Sequence, residues 1–569
     1  MGHRMPKWTL AAGVCLQLIW LLSAVSLAWA QSPLKTAWGK FDQFMYDFDP
    51  LGKAIRNPLQ EAIPGLRVVG FYRQWVDWNI ESDTRFFGPP GPTGQRALIH
   101  EKSQRYQQIT SMAEIQLRYT LSPTLWAVGT LRYEYNGTYD AHDFDLPPTL
   151  RAVGTRHRAR DPNIHWLSDP DYIFREAYLD WFPNPSWRMV VGRQQEAWGK
   201  LISPITDIIH GFDQREAVQL EGEDFFLRRL NRFMVNLSYY TEGLGGTNEF
   251  KLLWLPEWQG DRFGPLSWGA GTAWNPPFFN RAAFFGLNKR LRKRPGWDFD
   301  DHEVFGRWTW SGENFTGFLM AGYLWDRTPS VWLQRNARTP TGALRPFLAF
   351  SRGIGYGGGF DWGYVFNNVP FGIETLPMTV TLESFTQSDM EYGPDPVDRS
   401  GRPSARAVRL AGLVAKGVID DNHVRRTTTR NALQFDFAFP DRWSLSSVNI
   451  FNYTFDWKQG ISGGFTGPNQ WIFIPVLVLA HPWRATEDRL NTTLQIFTQI
   501  AGPRQTETWG GLKLRPILAY SLSQYMELRL IGTLFFGHGE RTVNPGEVLG
   551  TYDTWTRFKN VGLELNYTF

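Results

Sequence analysis

The sequence predicts an all-β protein: a transmembrane antiparallel up-and-down β-barrel of about 18 strands, within a range of 16–20. Three observations carry this. Aromatic residues abound (27 Trp, 20 Tyr and 41 Phe), yet the longest apolar run beyond the amino terminus, Trp471–Ala480, is interrupted by Pro475. A spanning helix needs about 20 apolar residues, whereas alternating strands average to low hydropathy and gather Trp and Tyr at two interfaces. Segments alternating between apolar and polar residues recur along the chain. Short turn signals alternate with long polar stretches.

The amino terminus reads as a signal peptide over residues 1–30. Arg4 and Lys7 precede a mostly apolar run, and Ala28-Trp29-Ala30 is a small-x-small cleavage site. The one cysteine, Cys15, lies inside this run, so the mature chain offers no disulfide, no thiol nucleophile and no Cys-x-x-Cys-His haem attachment. Formal charge is only +4, of which Arg4 and Lys7 supply two, so no nucleic-acid partner is expected.

Residues 31–64 do not alternate. Phe41, Met45, Phe48, Ala54, Leu59 and Ile63 suggest short amphipathic helices broken by Pro50 and Pro58, as a tether before the first strand, a periplasmic extension or a plug.

The barrel is expected over residues 65–569. Ile109, Ser111, Ala113, Ile115, Leu117, Tyr119 and Leu121 share one face of a strand; Thr110, Met112, Glu114, Gln116, Arg118 and Thr120 share the other. After Ser122-Pro123 the chain returns with Leu125, Ala127, Gly129, Leu131, Tyr133 and Tyr135 opposite Thr130, Arg132, Glu134 and Asn136. The pattern recurs at Trp187–Val191, Phe315–Trp325, Met378–Leu382, Leu433–Phe439, Leu490–Ile496, Leu512–Leu514 and Met526–Leu530. Turns are expected at Ser122-Pro123, Pro183–Pro185, Ser311–Asn314, Pro440–Arg442 and Ser521–Ser523. Strands two, four, eight, twelve and sixteen descend into them. Long external loops are expected over 82–102, 137–169, 198–224, 259–300 and 387–425. Closure is required, because an open sheet edge cannot sit in hydrocarbon.

The last strand alternates strictly: Val561, Leu563, Leu565, Tyr567 and Phe569 against Asn560, Gly562, Glu564, Asn566 and Thr568. A chain ending on Phe, with Tyr two residues earlier, resembles the closing strand of bacterial outer-membrane barrels. The resemblance implies that Tyr567 and Phe569 form an assembly signal read by the barrel assembly machinery.

A second resemblance covers the middle. Glu176–Trp181 leads to Met189-Val190-Val191-Gly192-Arg193-Gln194-Gln195-Glu196-Ala197-Trp198-Gly199, and Phe250–Trp258 follows. This is similar to a proteobacterial family of porin-like exported proteins known mainly as a domain of unknown function; the distinctive motif is Gly192, Arg193, Gln194, Gln195, Trp198 and Gly199. The resemblance implies a bacterial outer-membrane location, and an inner-membrane efflux pump and a lipoprotein as partners.

Chemistry is sparse. The chain lacks Gly-x-Ser-x-Gly, His-Glu-x-x-His and phosphate-loop motifs, and no catalytic, cofactor or metal site is expected. Asp298, Asp300, Asp301, His302 and Glu303 read as a solvated loop edge, with oxygen ligation of a divalent cation as the alternative. Lys289–Arg294 is a basic run in the same loop, facing solvent or lipopolysaccharide. The polar face places Arg118, Arg132, Glu134, Lys513, Glu527 and Arg529 on a pore wall, either as a charge filter or as pairs that keep the wall polar. The expected function is an outer-membrane channel passing solutes, in contact with membrane lipid. The alternative is the outer-membrane component of an export or lipid-transport system.

Overall fold

The computed structural model describes residues 49–80, 106–136, 173–201, 206–214, 229–260, 302–327, 350–369, 373–394, 405–419, 423–458, 469–502, 508–537 and 559–569, with short pieces of external loop between them. The signal peptide, residues 31–48 and Lys289–Arg294 lie outside the described residues.

The strands are β1 (Leu66–Asn79), β2 (Tyr106–Ser122), β3 (Leu125–Asn136), β4 (Phe174–Asn184), β5 (Trp187–Gln194), β6 (Arg232–Gly243), β7 (Gly246–Leu255), β8 (Glu303–Ser311) and β9 (Phe315–Trp325). There follow β10 (Arg352–Val369), β11 (Ile373–Pro394), β12 (Val424–Ala438), β13 (Ser444–Thr454), β14 (Trp471–Pro482), β15 (Leu490–Gly502), β16 (Thr508–Ser521), β17 (Met526–Phe536) and β18 (Asn560–Thr568). Each pairs antiparallel with its sequence neighbours. The ring of 18 closes where β18 meets β1, from Phe71↔Thr568 to Asn79↔Asn560. Closure leaves no edge, and every strand satisfies its backbone within the ring.

The expected turns all stand at one rim, and β2, β4, β8, β12 and β16 run down to them. Three further connections share that rim: Gly243–Gly246, Val369–Ile373 and Pro482–Leu490. Leu244 and Gly245 both take positive φ (55° and 74°), the two-residue hairpin whose twist matches its strands. Among the described residues, no helix is long and apolar enough to cross a membrane.

Alternation decides which face meets lipid. Leu131, Tyr133, Leu179, Leu252, Leu319 (60% exposed) and Leu530 point outward, while Thr130, Arg132, Glu134 and Asp180 are buried on the inner face. Aromatic side chains form an outward belt near the turn rim. Trp187, Tyr239, Phe250 and Trp308 stand in contact across four strands, and Phe315 stacks on Phe360. Tyr133, Tyr323 and Tyr356 belong to an opposite belt. This is the arrangement a bilayer imposes on a barrel.

The described part of the segment before β1 begins at Asp49. Gly52–Arg56 is a π-turn and Asn57–Ala62 an α-helix. Pro58 does not break this helix. It sits in the first turn, where the missing N–H costs no bond.

Candidate functional site: an in-folded loop facing a charged wall

The chain between β5 and β6 leaves the barrel wall and folds into the lumen. Its root is the Gly192–Gly199 motif. Gly192 has φ +134°, and a Cβ there would lie 2.3 Å from the carbonyl oxygen of Ala177, so glycine is required at this step. The Gln194 amide donates to the carbonyls of Val190 (3.2 Å) and Met234 (3.1 Å), and Arg193 donates to that of Asn231 (3.0 Å). The backbone N–H of Gln195 donates to Glu176 (3.3 Å). Trp198 is buried edge-on to Phe305 (5.9 Å), with the Arg307 guanidinium 5.7 Å from its ring. Gly199 is buried beside it.

The loop is then fastened to the inner face of β6–β11. Glu383 on β11 accepts the backbone N–H groups of Lys200 (2.5 Å) and Thr206 (3.3 Å) and the Thr206 hydroxyl (3.2 Å). Lys200 pairs with Asp361, and Lys251 with Glu196 (2.7 Å). Arg327 donates to the carbonyls of Ile208 (3.2 Å) and Ile209 (3.0 Å), and Arg232 to that of Ile209 (2.7 Å). Both arginines pair with Glu303, which is buried. The expectation for Glu303 is therefore corrected: it is neither a solvated edge nor a cation ligand but the shared acid between two buried guanidiniums. Neighbouring His302 is held by the Phe299 carbonyl (2.9 Å), and Asp298, Asp300 and Asp301 lie outside the described residues.

Two titratable groups of the loop are themselves buried. Asp207 pairs with Arg229, yet burial outweighs the guanidinium and pushes its carboxyl up to about 6. His210 accepts the Glu196 N–H at Nε2 (2.9 Å), and its Nδ1 faces the Leu230 carbonyl (3.0 Å). One acceptor and one donor define a neutral imidazole, and burial, followed by Arg229, holds its pKa well below the usual value. The return limb is anchored on the other side by Arg132 to the Leu227 carbonyl and Arg175 to the Arg229 carbonyl, each 2.6 Å.

Around the loop lies an apolar core. Trp198, Leu201, Ile208 and Ile209 join Met234, Leu253, Phe305, Met320, Phe385, Ala432, Val448, Ile450 and Val476. The inner faces of β13 and β14 are apolar here, so Trp471–Pro482 is apolar on both faces.

The remaining wall, from β15 through β18 to β4, keeps the expected polarity. Arg529 and Glu527 pair, Arg529 lies 3.5 Å from Glu564, and Arg73 donates to Asn566 (2.7 Å) and lies 3.7 Å from Glu564. Arg529, Glu527 and, less so, Arg73 are partly exposed, whereas Glu564 is buried. Arg118 is half-buried, 4.9 Å over Trp126, and faces the exposed Arg67 in register across β1–β2. Arg132 and Glu134 are buried, Arg132 donating to Glu114 (2.7 Å). Lys513 is buried between the rings of Phe497 (5.0 Å) and Phe535 (5.9 Å). The six residues expected on a pore wall lie on the inner face of the barrel but differ in burial: Arg118, Glu527 and Arg529 are partly exposed there, while Arg132, Glu134 and Lys513 are packed. Arg73, Glu114 and Glu564 join them. Glu114 and Glu564 stood on polar faces of the sequence pattern; Arg73 did not stand out.

A closed barrel with two aromatic belts, a lipid-facing apolar band and a loop folded against one inner wall is a porin-like β-barrel of the outer-membrane type. No protein-family model matches the chain, and no curated protein matches it. Similar solved structures include Pseudomonas aeruginosa OccK5 (9% identity, 89% of this chain and 98% of that chain, TM-score 0.41). They include a BenF-like porin from Pseudomonas fluorescens Pf-5 (8% identity, 89% and 99%, TM-score 0.44). Salmonella typhi OmpF is similar over 89% of this chain and 97% of that chain (9% identity, TM-score 0.36).

Proposed function

We propose that the chain is a passive outer-membrane channel for small hydrophilic solutes with a preference for anions. The carrying observation is the asymmetry of the lumen: the in-folded loop is tied at Lys200, Thr206 and Ile208–Ile209 to β6–β11, while partly exposed charges such as Arg67, Arg118, Glu527 and Arg529 lie along β15–β4. Among the exposed or half-buried charges of that wall, Arg67, Arg73, Arg118, Arg529 and Arg515 on β16 outnumber Glu114, Glu176 and Glu527, which lowers the barrier to anions. The Gly192–Gly199 motif roots the loop, and this supports grouping the chain with the porin-like exported family it resembles. Solute-driven swelling of proteoliposomes tests the function. Small sugars and organic acids enter, with rates falling steeply with size and a small carboxylate outpacing a neutral solute of equal size. Failure of the smallest solute to enter would refute it.

A further inference from the structure

The carboxy-terminal aromatic pair is covered in a place where lipid is expected. Tyr567 and Phe569 point to the outer face, as Leu563 does. Leu563 is 40% exposed; Tyr567 is 4% and Phe569 7% exposed. The cover is the segment before β1. The Tyr567 hydroxyl accepts the N–H of Leu51 (3.1 Å) and Gly52 (3.3 Å) and donates to Asp49. Asp49 is buried, caps the Gly52 N–H (2.9 Å) and pairs with Arg56 (2.7 Å). Gly52 has no room for a side chain, since a Cβ would meet the Asp49 carboxylate at 2.1 Å. The Gln60 side chain accepts the Val68 N–H (3.2 Å), and Arg56 lies 5.9 Å from the Tyr525 ring. Beneath, Phe569 exchanges both backbone hydrogen bonds with Gly70 (2.8 and 2.9 Å).

The surface on which this segment rests is composite. Val68 comes from β1, Ile115 and Leu117 from β2, Tyr525 from the turn before β17 and Met526 from its first position, and Tyr567 and Phe569 from the chain's end. Strands from the two ends of the sequence meet only when the ring has closed, so the seat does not exist in an open sheet.

We propose that Asp49–Ala62 is a closure clasp. It docks on the seam between β1 and β18 once the ring is complete, retards its reopening, and withdraws Tyr567 and Phe569 from any other protein that binds an aromatic strand end. The clasp acts on the outer rim and leaves the pore wall untouched.

Hydrogen exchange on the full-length barrel in bilayers tests this. Tyr567→Phe keeps the ring but removes the hydroxyl; Arg56→Ala and Gln60→Ala alter only the segment, so barrel folding is not at stake. Each variant raises exchange across 49–62 by about tenfold, the effect of losing one hydrogen bond of ordinary worth. Exchange at Gly70 and Phe569 rises with it, carboxypeptidase releases Phe569 faster, and conductance stays unchanged. During refolding, protection of 49–62 appears with or after that of Gly70. The clasp is overturned if 49–62 exchanges in the unaltered protein like a free peptide, if the three variants leave seam exchange and Phe569 release unchanged, or if 49–62 is protected before the seam. Altered conductance in Arg56→Ala would overturn the separation from the pore.

Discussion

The inner faces of the β2–β3 hairpin and the β13–β14 hairpin face the same lumen, yet they differ in kind. On β2–β3 the inward side chains include Glu114, Gln116, Arg118, Thr130, Arg132 and Glu134, linked by polar contacts such as Gln116 to Thr130 (3.3 Å). On β13–β14 they include Val448, Ile450, Ile474, Val476 and Val478, which belong to or border the core around the in-folded loop. A barrel wall is polar inside only where water reaches it. Where a loop rests, the wall takes on the composition of a protein interior, and charges buried there, such as Glu303 with Arg232 and Arg327, stand in ion pairs. The inner face of the barrel is therefore part polar wall and part core.

The sharpest break in this comparison comes from equivalent charge removals on the two sides. Glu303→Gln leaves Arg232 and Arg327 buried without their acid and costs roughly 3–5 kcal/mol of stability. Glu527→Gln, in a half-exposed pair with Arg529, costs under about 1 kcal/mol. Denaturant midpoints followed by heat-modifiable gel migration measure both; equal losses would mean that the two walls are not different environments.

The lipid face gives a third reference. Leu319 lies midway between Phe315 and Tyr323, and an Arg there costs roughly 2–4 kcal/mol. Arg in place of Gln116, on the water-lined face, is far milder in the same assay. Matching penalties would show that the in–out register is wrong.

The fastening of the in-folded loop to β11 is next in size. Glu383→Gln keeps the shape of the acceptor but removes its charge. It weakens hydrogen bonds to Lys200 and Thr206 by about 1–2 kcal/mol in total. Single-channel recordings then show added current noise and excursions to higher conductance, while global unfolding shifts little.

The smallest effect is in pH. His210 has a depressed pKa in the seated loop, so the released loop binds the proton first and seating weakens as pH falls below about 6.5. Asp207 is raised to about 6, so the seated loop binds that proton first and seating strengthens as pH falls from about 6 toward 3.8. The two slopes oppose each other below about pH 6. Channel noise is expected to rise between pH 7 and 6 and then level off. In His210→Asn it instead declines below pH 6.

The strand pattern was readable because period two survives wherever one face meets lipid. The hairpins at Ser122, Asn184 and Ser311, the face assignments of Leu131 and Leu319, and the count of 18 all follow from it. A loop over 198–224 was expected, but its folding inward was not readable. Trp198-Gly199-Lys200-Leu201 shows no period, and its partners Glu383, Arg327 and Asp361 lie far along the chain. Strand β10 presents Gly353, Gly355, Gly357 and Gly359 inward, so no polar face announced it. Glu303 looked solvated because its acidic neighbours in sequence suggested a loop; only the fold brings Arg232 and Arg327 to it. Trp471–Ala480 was visible as an unusually apolar run, and its reason is the core on its inner side.

The claim that one wall remains an open, anion-leaning path is tested most directly by the reversal potential of the purified protein in a planar bilayer under a salt gradient. The account predicts steady conductance, a reversal potential of the sign set by anion preference, and a shift toward cations in Arg67→Glu and Arg118→Glu, weakening as salt rises. A silent protein, or steady cation preference that these two substitutions leave unmoved, would contradict it.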